Sequence, residues 1–113
     1  MKKTIRVPAR GEIWWVHLDL TLGSEINKTR PCLIVTTNVL NERRRTVVVI
    51  PLSSSPQANP PLMVPLTCLG KAAVAVVDQV RAVSKDRIDK RIGLVNAEEL
   101  AGVEEALRIV LDL

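Results

Sequence analysis

Residues 12–20, Glu12-Ile13-Trp14-Trp15-Val16-His17-Leu18-Asp19-Leu20, set apolar and polar side chains in near-strict alternation. Trp14, Val16, Leu18 and Leu20 fall on one face, and Trp15, His17 and Asp19 on the other. A period of two belongs to a strand with one buried face. Working outward, residues 21–30 (TLGSEINKTR) are polar, contain Gly23 and read as a loop. Residues 31–37 read as a second strand, with Pro31 at the first position, where a missing N–H is tolerated. Residues 38–41 read as a turn, followed by the basic run Arg43-Arg44-Arg45. Residues 46–52 are β-branched and apolar, as in a strand buried on both faces. Residues 53–61 hold three serines and three prolines and predict an exposed loop. A fourth strand over 62–67 is placed at an edge by Pro65. Residues 72–83 read as one long strand with Asp78-Gln79 as polar islands, 84–87 as a helical turn, and 91–95 as a short strand.

The period changes at Asn96. Asn96 with Glu99 three positions on forms a capping-box pattern. Leu100, Val103, Leu107 and Val110 then recur at helical spacing, with Glu98, Glu99, Glu104 and Glu105 early and Arg108 late, as the helix dipole favours. Five or six strands and one terminal amphipathic helix predict a mainly β fold. In it a small curled antiparallel sheet carries the helix on an apolar face.

The 113 residues predict a single domain spanning 1–113 with one modest core. Apolar residues make up 47% and charged ones 25%, the proportions of a globular chain. With two Trp and no Phe or Tyr, that core must be aliphatic. No stretch approaches the roughly 20 apolar residues of a membrane span. The opening Met1-Lys2-Lys3-Thr4-Ile5-Arg6-Val7-Pro8 lacks the apolar run of a signal peptide, which predicts a cytoplasmic protein. Cys32 and Cys68 stand far apart with no Cys/His spacing, against a disulfide framework or a metal site. His17 is the sole histidine, which excludes mechanisms needing two in one chain. The net charge of +4 favours acidic partners, nucleic acid among them.

The polar residues that interrupt strand ends carry the functional information. They are Gly23-Ser24-Glu25, Arg30 directly before Pro31, Ser53-Ser54-Ser55, and Asp78-Gln79-Val80-Arg81. Taken in order, Arg10-Gly11-Glu12-Ile13-Trp14, Gly23-Ser24-Glu25, Arg30-Pro31, Pro51-Leu52-Ser53 and Asp78-Gln79-Val80-Arg81 resemble the MazF/PemK toxins of bacterial toxin–antitoxin modules. The likeness runs from about Val7 to the C-terminal helix. It implies an SH3-like twisted antiparallel barrel of the CcdB/PemK type, a homodimer, and a cognate antitoxin that blocks it. It also implies sequence-specific endoribonuclease activity on single-stranded RNA, with neither metal nor other cofactor. By position, Arg30 matches the family's catalytic arginine, Ser53 its catalytic Thr/Ser, and Glu25 the acidic residue of the substrate loop. This chain departs from the family in having Ile26-Asn27-Lys28-Thr29 where Gln-x-Gly is usual. It also has His17 and Leu20 in place of an Asp and a Pro.

Those residue types suit RNA cleavage. The 2′-OH beside the scissile phosphate is an internal nucleophile, so in-line attack is intramolecular. A guanidinium matches phosphate oxygens with paired donors. A hydroxyl can hydrogen-bond the phosphate, and a carboxylate can orient or deprotonate the 2′-OH. Lys28, Ser54, Arg81 and Arg87 are candidate RNA contacts, as are Lys85 and the Arg43–Arg45 run. Trp15 is a candidate base-stacking surface. Structural readings stand beside these. Arg30 would serve as a surface ion pair with Glu25 or Glu12, Ser53 as a turn residue, and Asp78-Gln79-Val80-Arg81 as a brace. His17 would sit on an outward strand face, with Cys32 and Cys68 as small apolar residues. Two other functions fit the same resemblance: a gyrase-poisoning toxin like CcdB, and an inactive relative that only binds RNA or an antitoxin.

Overall fold

The computed structural model describes residues 7–18, 29–54 and 62–113. Among them the strands are β1 (Glu12–His17), β2 (Thr29–Ile34), β3 (Thr46–Ser53), β4 (Met63–Cys68), β5 (Lys71–Val76), β6 (Arg81–Ser84) and β7 (Ile88–Leu94). The helices are α1 (Asn38–Arg43) and α2 (Ala97–Leu111), with 3-10 turns at Val77–Gln79 and Lys85–Arg87. The sheet is antiparallel in the order β4-β5-β3-β2-β1-β7, with β6 lying beside β3.

β3 is the pivot. Its first half pairs with β6 (Thr46 opposite Ser84, Val49 opposite Arg81). Its last two residues pair with β5 (Leu52 opposite Ala75, Ser53 opposite Val74). The sheet therefore splits along one strand, and the β4–β5 hairpin leaves the plane of the rest. At the opposite edge, β1 meets β7 with register shifts on both sides of Trp14. Such irregularities bend a strand and tighten its twist.

Burial falls on both faces of the curled sheet. Successive residues of β2 alternate between two clusters, Cys32 and Ile34 in one and Leu33 in the other. Cys32 and Ile34 pack with Trp14, Val16, Val47, Val49 and Val83 inside the curl, which Ile88 helps to close. On the outer face, Ile13, Leu33, Ile50 and Leu52 pack with Val77 and with Val103 and Ala106 of α2. The strand expected to be buried on both faces is β3. The α2 stripe follows the expected spacing, with Val103 fully buried and Leu100, Leu107 and Val110 packed around it. Its capping box forms: Asn96 Oδ1 accepts from the Glu99 N–H at 2.7 Å, and Glu99 Oε1 accepts from the Asn96 N–H at 3.0 Å. Glu99 Oε2 also accepts from the Thr67 N–H at 2.9 Å, so the cap fastens the helix to β4.

Three expectations need correction. Residues 38–43 form a short helix, not a turn. The buried Asn41 donates from Nδ2 to the Thr36 carbonyl at 2.9 Å and to Asn38 Oδ1 at 3.2 Å. The asparagines that signal a turn here hold a helical one. Residues 72–83 form two strands, not one. From Ala75 (opposite Leu52) to Arg81 (opposite Val49) the chain advances six residues while β3 advances three. The surplus winds into the 3-10 turn Val77–Gln79. Finally, β7 begins at Ile88, not 91, because its charged Asp89-Lys90-Arg91 lies exposed on an edge strand.

Candidate active site

The β2–β3 ladder builds the site. Cys32 lies opposite Pro51. Continued for two residues, the same antiparallel register sets Arg30 across from Ser53. Both side chains line a cleft of about 670 Å³, whose other walls include Thr29, Pro31, Leu52 and Ser54 and, from the β4–β5 hairpin, Cys68, Leu69, Lys71, Ala72 and Ala73. Both also line an adjoining hollow of about 280 Å³ with Leu18, Pro51, Met63 and Gln79. Arg30 and Ser53 are each half-buried at the junction of these two spaces.

No carboxylate among the described residues pairs with Arg30. Glu12, the structural alternative as its partner, is committed elsewhere. Its Oε2 accepts from Arg91 Nε at 2.7 Å, and its Oε1 accepts from Trp14 Nε1 at 2.9 Å and the Ala9 N–H at 2.8 Å. Burial pushes the Glu12 carboxyl up. The hydrogen bonds from Arg91, Trp14 and Ala9, with the Arg91 charge, more than reverse this and leave its pKa below the ordinary value. Cys32, directly behind Arg30 on β2, is pushed up to about 12 by burial, while the charges of Arg81 and Arg30 act in the opposite direction. The charges of both arginines are therefore felt at Cys32.

The remaining sequence candidates are placed as follows. Ser54 is exposed in the main cleft with Ser53. Arg81 stands on β6 opposite Val49, half-buried, and contributes its charge there without lining either space. Arg87 donates from Nη1 to the His17 carbonyl at 3.3 Å, at the end of β1. Trp15 is half-buried opposite Pro31, one strand removed from the cleft. Glu25 and Lys28 lie outside the described residues. His17 is exposed, with Nδ1 2.8 Å from Thr29 Oγ1 and Nε2 3.6 Å from Asp89. Sequence reasoning missed the hairpin side of the cleft, Leu69 and Lys71. The only available signal was the Leu69-Gly70 pair between two apolar runs, a hairpin cue that carries no chemistry by itself.

Among the described residues no group of three or more His, Cys, Asp and Glu is placed to hold a metal, and no helix is long and apolar enough to cross a membrane. Over residues 9–111 the chain matches the family of PemK-like, MazF-like toxins of type II toxin–antitoxin systems. The chain belongs to the PemK/MazF toxin family. A relative, Endoribonuclease MazF9 of Mycobacterium tuberculosis, is 37% identical over an alignment covering 92% of this chain and 96% of that one. Among solved structures, MazE-MazF from Deinococcus radiodurans superposes with a TM-score of 0.84 at 24% identity, covering 96% of this chain and 99% of that one. An endoribonuclease in complex with its cognate antitoxin from a Mycobacterial species superposes with a TM-score of 0.74 at 24% identity, over 96% and 97% of the two chains. These superpositions establish the PemK/MazF fold, a mainly β curled sheet with a C-terminal helix, as the resemblance in the sequence implied.

Proposed function

We propose that this chain is an endoribonuclease that cuts single-stranded RNA through attack of the 2′-OH on the adjacent phosphate, leaving 2′,3′-cyclic phosphate and 5′-OH ends without a metal. The observation that carries this reading is the half-buried guanidinium of Arg30, without a carboxylate partner among the described residues, lining one cleft with the Ser53 hydroxyl. A half-buried cation with no counter-charge is a site for an anion, and the planar donors of arginine suit phosphate oxygens. Family membership and relatives named endoribonucleases support the same reading.

In the proposed mechanism Arg30 binds the scissile phosphate and neutralises the charge that builds on the phosphorane. By analogy with a single oxyanion donor this contributes roughly 3–4 kcal/mol. Ser53 hydrogen-bonds a phosphate or 2′ oxygen. Glu25 orients or deprotonates the 2′-OH, a general-base contribution of about 10²–10⁴-fold. Lys28, Ser54, Arg81 and Arg87 hold flanking nucleotides, and Trp15 offers a stacking surface. The active form is a homodimer, and a cognate acidic antitoxin blocks it, as suits a chain of net charge +4. Incubation with a long RNA in EDTA tests the reading. Normal RNA is cut, and uniformly 2′-O-methylated RNA is not. Equal cutting of the two would overturn the mechanism, and an intact normal RNA would overturn the function.

A further inference from the structure

We propose that the tip of the β4–β5 hairpin, Leu69-Gly70-Lys71, is a nucleotide-recognition element of the cleft. Leu69 covers the face of one unstacked base next to the cut, and Lys71 holds a neighbouring phosphate. This deepens the ribonuclease reading and rests on it.

The argument begins with a local misfit. Leu69 and Gly70 carry φ of +56° and +74°, closing a tight turn between the paired residues Cys68 and Lys71. Glycine and asparagine suit two consecutive positive φ values, whereas a leucine is strained there. Packing within the chain does not compensate, since Leu69 remains 63% exposed. Gly70 faces open space, with nothing within 4 Å of where a Cβ would stand. A strained apolar side chain with little support from its own fold, on the wall of a cleft, points to what enters the cleft.

The rest of the cleft says what that is. Leu52, Cys68 and Ala73, all members of the outer buried cluster, give it an apolar floor. Arg30 stands on one wall and Lys71 on the other. Lys71 is exposed, and no carboxylate among the described residues pairs with it. Two cations flanking an apolar surface match the repeat of single-stranded RNA, in which phosphates flank a base.

The test compares Leu69→Gly and Lys71→Gln with the wild type, using cleavage kinetics, end mapping and thermal melting. Binding is measured on an oligoribonucleotide carrying the mapped cut site with a 2′-O-methyl group at the cut. Leu69→Gly relieves the positive φ, so it should melt no lower than the wild type. Its KM should nevertheless rise about tenfold, the scale of one aliphatic side chain's lost apolar contact, with kcat little changed. Its base preference at one position beside the cut should relax. Lys71→Gln should raise KM and flatten the slope of log binding constant against log salt by about 0.7, one phosphate on a single strand. A lower melting temperature for Leu69→Gly would assign Leu69 to stability and overturn its role here. Wild-type KM, cut pattern and salt slope in both variants, with the wild type active, would overturn the hairpin proposal alone. A wild type that neither cuts nor binds would overturn the ribonuclease reading, and this proposal with it.

Discussion

Arg30 holds a half-buried charge that no carboxylate among the described residues neutralises, and Glu12 holds one that Arg91 pairs. Arg30→Lys keeps the charge but loses the planar pair of donors, so cleavage should fall by about 10-fold or more while the fold is retained; melting curves and initial rates read both. Glu12 acts on stability. Its carboxyl is held below the ordinary value, so the carboxylate adds stability above the unfolded pKa, and that contribution fades as pH falls through the folded one. Glu12→Gln should cost about 2 kcal/mol near neutral pH, since charged hydrogen bonds are lost. It should also flatten the fall in stability between neutral pH and pH 3, as urea titrations at the two pH values would measure. The thiol of Cys32, pushed up to about 12 by burial, should resist alkylation at pH 8 until the chain is unfolded. At this scale Arg30 and Ser53 were legible in the sequence through their neighbours Pro31, Pro51 and Leu52. The Glu12–Arg91 pair was not, because 79 residues separate its members and only the β1–β7 pairing unites them.

α2 shows how far local pattern reaches among the elements. Asn96, Glu99 and the Leu100–Val103 stripe specify the helix within a few residues of sequence, and the cap forms as read. Asn96→Ala should lower stability by about 1 kcal/mol, seen as a fall of about 4 °C in Tm. Glu99→Ala should lose more, since it also releases the Thr67 N–H. Elements that depend on partners were harder to read. The break between β5 and β6 exists because β3 is shared end to end by both, which the largely apolar stretch 72–83, interrupted only by Asp78, Gln79 and Arg81, does not reveal. β7 carries three consecutive charged residues because its outer edge faces solvent, so its alternation is hidden. α1 rests on the buried Asn41, whose side chain reads equally well as a turn former.

The whole molecule presents a net charge of +4 and a cleft where the end of β3, the start of β2 and the β4–β5 hairpin meet. RNA affinity should therefore fall steeply as salt rises, with a slope that counts the phosphates held. Apolar side chains stand exposed at the end of α2, where Ile109 and Leu111 are about half exposed and Leu113 is 85% exposed. Symmetric pairing would cover surface of this kind. Sedimentation should accordingly give about twice the 12.5 kDa mass of one chain. The central claim, one guanidinium and one hydroxyl acting on a single phosphate, is tested most directly by mapping RNA ends in EDTA with wild type and Arg30→Ala side by side. The wild type should leave 2′,3′-cyclic phosphate and 5′-OH ends at defined sites, and Arg30→Ala, equally folded, should cut those sites about 10²–10³-fold more slowly. Equal rates from the two proteins would contradict the account.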